Sequence, residues 1–152
     1  MDKIFETAIS TRKALLEIMD SAGFEQLVRI PEPHRNSIFW NIAHLLVTEQ
    51  LLTYKLSGLD LHIDPDFVSR YMKGTKGNAD VSLDDVAYVR ENLVKTVERT
   101  RKDYEKGLFK NYQSYTTSAN VELKSIEDGI HFSCFHDGIH FGVVLSLMKI
   151  VK

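Results

Sequence analysis

The segment from Ile38 to Ser57 constrains the fold of this chain most strongly, because it is apolar almost all the way round. A helix that is hydrophobic on every side is buried among other elements and does not lie on a surface. Gly58 follows at the place where a glycine commonly ends a helix. The sequence therefore predicts a central, heavily buried helix around which the other elements pack.

Three other segments repeat their apolar residues at helical spacing. The first covers residues 3–22, the third runs from Ser82 to Gly107, and the fourth follows Ser125 and runs to about Val151. The last two each begin with a serine that is followed three residues later by an acidic residue, which is a typical helix start. The four segments are long enough to be the main helices of one domain.

The connections between these segments differ in length and composition. The long stretch between the second and third helices contains Asp64 and Pro65, which can cap and open a short helix. The segment NYQSYTTSANVELK is rich in Thr, Tyr and Val, and we expect it to be extended or a short hairpin. Four helices with so little strand predict a single all-α domain over residues 1–152. Its fold would be a four-helix bundle with long crossover connections.

Composition and charge exclude several classes of protein. The chain has 152 residues and a formal net charge of −2, so it lacks the basic excess with which a general nucleic-acid binder neutralises phosphates. It contains no run of about 18 apolar residues that could form a membrane helix. Its first residues do not have the pattern of a secretion signal, and Cys134 is its only cysteine. We therefore expect a protein of the reducing cytoplasm without nucleic-acid or membrane partners.

Two of the six histidines lie four residues apart in the stretch FHDGIHFG. On a helix, His136 and His140 project from the same face. That face otherwise carries residues suited to a core, among them Phe132 and Leu147. Because an unpaired polar ring on such a face is costly, the pair needs partners inside the bundle.

The central helix also carries polar side chains on a surface that must be buried. Its few polar positions include Asn41, His44 and Thr48, which share one side of the helix beside Trp40. If His44 meets the histidine pair, the three neutral rings can share a cation such as zinc, nickel, copper or ferrous iron. Three histidines leave a coordination position open, as catalytic sites do, and Asn41 and Thr48 are candidates for orienting the ligands. The alternative is that these rings are ordinary core histidines bonded to backbone carbonyl groups.

Other polar residues are weaker candidates for the surroundings of this site. We expect Asp137 at its rim, where it could support a ligand, or at a polar edge of the last helix. His62 and Tyr71 lie in the long connection, either as pocket wall or as part of an exposed loop. Glu49 should point away from His44, because five positions correspond to about 140° around a helix. No general base is therefore predicted, and the catalytic residues remain unassigned.

The buried histidine in NIAHLLVTEQLL and the pair in FHDGIHFGVVLSLMKIV resemble the motif of the DinB-like superfamily, which includes DinB and YfiT-type proteins. The likeness extends to chain length and helix order, and Trp40 before the first histidine also fits. The resemblance implies a four-helix bundle with a long crossover, and a homodimer. It also implies a divalent metal, most often zinc or nickel, bound by His44, His136 and His140.

The resemblance implies two kinds of activity on a small-molecule substrate. Relatives include S-transferases and isomerases that use low-molecular-weight thiols such as bacillithiol, mycothiol or glutathione, and many others are described as metal-dependent hydrolases. The alternative is a non-catalytic or stress-related interaction protein whose metal is structural or sensory. Many relatives continue the last histidine as H-x-G-Q, whereas Val143 stands here in place of the glutamine. A polar group that could orient the metal ligands is thereby lost.

Overall fold

A computed structural model describes residues 1–75 and 80–152, and most of these residues are helical. The helices are, in chain order, α1 (Asp2–Ser21), α2 (Phe24–Val28), α3 (Ile38–Gln50), α4 (Pro65–Tyr71), α5 (Leu83–Asn92), α6 (Lys95–Glu105) and α7 (Ile126–Ile150). A two-stranded antiparallel hairpin, β1 (Tyr115–Thr116) and β2 (Glu122–Leu123), precedes α7. The predicted all-α fold is confirmed, and so is the hairpin before the last helix.

Helix α3 forms the centre of the bundle because its sequence is apolar on nearly all sides. Every residue of α3 except Thr48 is buried. Helix α3 packs against α7, α5 and the two short helices α2 and α4, while α1 packs against α7 and α6. The predicted central helix is confirmed, and Thr48 marks the one position at which α3 is open toward its surroundings.

The chain continues from α3 into a π-helical turn, Leu51–Lys55, where the sequence predicts a continuous α-helix. The hydroxyl of Thr53 donates to the carbonyl of Glu49 (2.7 Å), and the Leu56 amide donates to the carbonyl five residues earlier (3.3 Å). A threonine hydroxyl that bonds a helix carbonyl competes with the regular backbone pattern. The helix widens at the residues where this bond is made.

The third predicted helix is divided into α5 and α6, so the expectation of one continuous helix is wrong. The division lies at Leu93, whose carbonyl accepts a hydrogen bond from Nη1 of Arg12 on α1 (3.0 Å). A contact with another helix therefore engages a backbone group at the point where the helix is interrupted. The predicted start is confirmed, because Ser82 and Asp85 form a capping box.

The starts of α4 and α7 also follow their sequence signals. Asp64 accepts from the amide of Asp66 (2.7 Å) where Pro65 opens α4, and Ser125 and Asp128 form a capping box on α7. Helix α2 is not predicted, because five residues are too few to show a helical repeat. None of the described helices combines the length and the apolar character needed to cross a membrane.

Candidate metal centre

Three imidazole rings meet between α3 and α7. His44 lies on α3, and His136 and His140 lie one turn apart on α7. One nitrogen of each ring lies within 4.8 Å of those of the other two. The centre of the His44 ring is 5.1 Å from the centre of each of the other rings. The structure therefore brings together the three histidines that the sequence singles out.

A backbone carbonyl fixes the tautomer of His44. Its Nδ1 lies 2.7 Å from the carbonyl oxygen of Tyr71, the last residue of α4. Because a carbonyl oxygen can only accept, Nδ1 carries the proton and Nε2 keeps its lone pair. The hydroxyl of Thr48 donates to this Nε2 (3.2 Å) and would have to turn away for the same lone pair to bind a cation. The indole of Trp40 stacks on the ring with centroids 4.5 Å apart. The ring is therefore held in orientation and presents Nε2 to the common centre.

Asn41 fixes the tautomer of His140 in a similar way. Its Nδ2 donates to the carbonyl of Ser37 (2.7 Å), which leaves Oδ1 to accept from Nδ1 of His140 (2.8 Å). The Nε2 of His140 therefore also keeps its lone pair, and it faces His136. Histidines that bind metals commonly donate their second N–H to an oxygen acceptor in this manner.

His136 is the ring with the least support from the protein. Its Nδ1 is buried and has no hydrogen-bond partner among the residues that the structure describes. Its Nε2 lies 3.1 Å from Nε2 of His140, and two nitrogens at this distance must share either a proton or a cation. Two nitrogens bound to one tetrahedral zinc ion at about 2.1 Å are about 3.4 Å apart. The donor set and its spacing therefore fit a divalent cation.

Burial keeps the three rings neutral near pH 7. Removal from water lowers the pKa of all three, that of His140 to about 4. The neighbouring imidazoles lower the pKa of His136 and His140 further. An imidazolium cannot bind a metal ion, whereas a neutral imidazole can. The cluster is therefore in the protonation state that a cation requires.

Asp137 does not lie at the rim of this site or at a polar edge, and that expectation is wrong. Its side chain is buried and forms a two-pronged ion pair with Arg12, which is also fully buried (Nε–Oδ2 2.8 Å, Nη2–Oδ1 3.2 Å). Nη2 of Arg12 also donates to the carbonyl of Leu45 (3.2 Å), and Nη1 lies 3.7 Å from Glu49. Arg12 therefore joins α1, α3 and α7 at the turns that carry the histidines.

Arg12 is not among the candidate residues that the sequence suggests, although a charged residue at its position is unusual. It falls on the stripe of α1 that is otherwise formed by Phe5, Ala8, Leu15 and Met19. A charged residue is seldom fully buried unless it is paired. Its place in an apolar stripe therefore predicts an acidic partner in the core.

The structure separates His62 from the three histidines. Its ring packs against Tyr54 with centroids 4.5 Å apart, and its amide donates to Oε1 of Gln50 (2.8 Å). Tyr71 contributes its backbone carbonyl to the site, while its ring packs edge-on against Phe39. No contact of either ring with the three imidazoles is found in the described part of the chain, which differs from the expected pocket wall.

A groove of about 350 Å³ opens beside the imidazoles at Thr48. The π-helical turn Leu51–Lys55, the residues that follow α4, and Gln113 with Tyr115 form its other walls. Thr48 borders the groove and also hydrogen-bonds to Nε2 of His44. The three imidazoles are not among the lining residues, so a small organic molecule in the groove would approach the histidine cluster at Thr48.

The family comparison covers most of the chain. A model of the DinB superfamily matches residues 8–144, a range that contains all three histidines, Asn41 and Arg12. No curated protein matches the chain.

Proposed function

The chain belongs to the DinB superfamily, and we propose on this basis that it is a metal-dependent enzyme whose divalent cation is held by His44, His136 and His140. We propose zinc or nickel as the cation, because both suit neutral imidazole nitrogens. The observation that carries the proposal is the meeting of three neutral imidazoles, with one nitrogen of each within 4.8 Å of the others. Two of these rings have their Nδ1 engaged by an oxygen acceptor, which leaves Nε2 for the cation.

A cation bound here would lower the pKa of a coordinated water or thiol, so that either could act as a nucleophile at neutral pH. The protein's own contribution is to orient and to bind. Asn41 and the Tyr71 carbonyl hold two of the rings, and the hydroxyl of Thr48 stands between the cluster and the groove. Three histidines leave a position for the nucleophile or the substrate.

The proposal assigns no general base to the chain. Glu49 and Asp137, the acidic residues closest in sequence to the histidines, are both engaged with Arg12. The reaction that fits this arrangement is one in which a water or a low-molecular-weight thiol is activated without a separate acid–base relay. A hydrolase and a thiol S-transferase both meet this condition, and the reducing cytoplasm would supply such a thiol.

Turnover by the metal-loaded protein tests the proposal. One panel would combine thiols with electrophilic substrates, and a second would contain esters and amides. We expect activity in at least one panel that is lost in His136→Ala and after treatment with a chelator, and that survives in His131→Ala, a matched exposed histidine of α7. A folded, metal-loaded protein that is inactive in both panels would instead be a non-catalytic metal-binding protein.

We also propose that two copies of the chain associate through the outer face of α7. This face exposes a series of large apolar side chains, Phe135 (55%), Ile139 (47%), Leu145 (43%) and Ile150 (46%). Exposed apolar side chains of this size are typical of protein–protein interfaces. Analytical ultracentrifugation should detect a dimer that Ile139→Lys weakens, and a wild type that is monomeric at every concentration would contradict this assignment.

A further inference from the structure

Two lysines border the groove beside Thr48, although its surface is mainly apolar. They are Lys55, from the π-helical turn, and Lys73, after α4. Neither lysine forms an ion pair with a described residue. They differ in this from three other lysines that do, Lys3, Lys95 and Lys124. Two cations from separate segments therefore border one groove and are available to a ligand.

Part of the wall of this groove is irregular backbone, the π-helical turn Leu51–Lys55. The segment before the hairpin binds two carbonyl groups at this end of the helix, one within the π-helical turn and one directly after it. The hydroxyl of Tyr112 donates to the carbonyl of Leu52 (2.8 Å), and the amide of Gln113 donates to that of Leu56 (2.6 Å). A Cβ on Gly129 of α7 would lie 2.6 Å from the Tyr112 hydroxyl, so a glycine is needed there. Single π-helical turns are frequent at functional sites, and this one forms part of the wall of the groove.

We propose that the groove binds a small molecule with an apolar body and a carboxylate, which Lys55 and Lys73 hold while the other end of the molecule reaches the histidine cluster beside Thr48. This inference rests on the proposed function and names the substrate class of the same site. Lysine suits the role because its ammonium is a point charge with three donors on a flexible stem. The apolar wall between the lysines and Thr48 accommodates the body of the molecule.

Two thiols that differ only in charge test this inference. The zinc-loaded full-length chain would be titrated by calorimetry with 6-mercaptohexanoate and with its neutral analogue 6-mercapto-1-hexanol. We expect the acid to bind about tenfold more tightly than the alcohol, and the preference to shrink as salt is added. The double variant Lys55→Gln/Lys73→Gln should lose the preference and keep its zinc. The matched variant Lys13→Gln/Lys102→Gln removes two exposed charges elsewhere and should keep it.

Equal affinity for the two thiols, no binding of the acid, or a preference that survives Lys55→Gln/Lys73→Gln would each overturn the inference. Metal analysis of the same samples distinguishes this failure from that of the proposed function. A zinc-loaded protein with no preference refutes the carboxylate site alone. A protein that holds neither zinc nor nickel refutes the proposed function, whereas a lysine-dependent preference for the acid would still support the groove assignment.

Discussion

The Nδ1 of His44 donates a hydrogen bond of 2.7 Å to the backbone carbonyl of Tyr71, and this contact ties the histidine cluster to the long connection of the bundle. The position of that carbonyl depends on how α4 docks. Arg70, the preceding residue, forms a two-pronged ion pair with Asp85 of α5 (2.9 and 2.6 Å). The orientation of a candidate metal ligand on α3 therefore depends on a contact between α4 and α5.

Asn41 should contribute to metal affinity through His140. Asn41→Ala removes the oxygen that accepts from Nδ1 of His140, so the ring loses its fixed orientation, and we expect metal affinity to fall about 10- to 100-fold. Competition with a chromogenic chelator measures this change. Asn92→Ala is a matched control, because Asn92 also donates to a backbone carbonyl four residues earlier, but on α5. The expectation fails if the two variants bind metal equally well.

The buried pair of Arg12 and Asp137 should matter for folding. Asp137→Leu leaves the guanidinium buried without its main partner, and we expect a loss of about 3–5 kcal/mol in the free energy of unfolding. Replacing both residues, in Arg12→Met/Asp137→Leu, should recover much of that loss. Urea unfolding of the metal-free protein measures both values. As a control, Glu91→Ala breaks an exposed ion pair with Lys95 and should lower the free energy of unfolding by about 0.5 kcal/mol or less. An equally small loss in Asp137→Leu would contradict the prediction.

The main elements of the fold could be predicted because their signals are local. A helical repeat of apolar residues and a serine cap each lie within a few residues of the element that they specify, as at Ser82 and Ser125. The meeting of three histidines could also be predicted, since each lies on a face that must be buried. These local patterns do not reveal which residues, distant in the sequence, contact each other in the fold.

The parts that could not be predicted depend on such distant partners. Arg12 and Asp137 are 125 residues apart. The residues around Asp137 in the sequence therefore give no sign that its side chain is paired and buried. The division between α5 and α6 lies at Leu93, which receives a hydrogen bond from Arg12, 81 residues earlier. Tyr71 serves the site through its backbone, and no side-chain pattern reveals which carbonyl a histidine will meet.

The metal-free protein should lose stability as the pH falls below about 6.5. The pKa of His136 and that of His140 are lowered in the folded state, so at pH 5.5 the unfolded chain binds protons that the folded chain does not. Each such histidine contributes a slope of up to about 1.4 kcal/mol per pH unit between its unfolded and folded pKa. Thermal unfolding at pH 7.5 and 5.5 measures the total. His136→Gln should reduce the slope and His131→Gln, at an exposed position, should not; equal slopes in both would contradict the prediction.

Gly129 should be intolerant of any side chain. An alanine Cβ would lie 2.6 Å from the Tyr112 hydroxyl and 2.7 Å from the Leu52 carbonyl, so one of these groups must move. We expect Gly129→Ala to lower the free energy of unfolding by about 1–3 kcal/mol. Gly138→Ala, on the same helix, meets no heavy atom within 4 Å and should raise stability by up to about 1 kcal/mol. Differential scanning calorimetry would show opposite shifts, and a shared sign would refute the steric explanation.

The metal content of the untagged protein tests the central claim most directly. Mass spectrometry of metals in protein grown with zinc and nickel available should find about one divalent ion per chain. Each of the variants His44→Ala, His136→Ala and His140→Ala should lose it, while His131→Ala keeps it. A wild-type protein that contains no divalent ion, and takes up none when zinc or nickel is added, would contradict the assignment of these three histidines as a metal site.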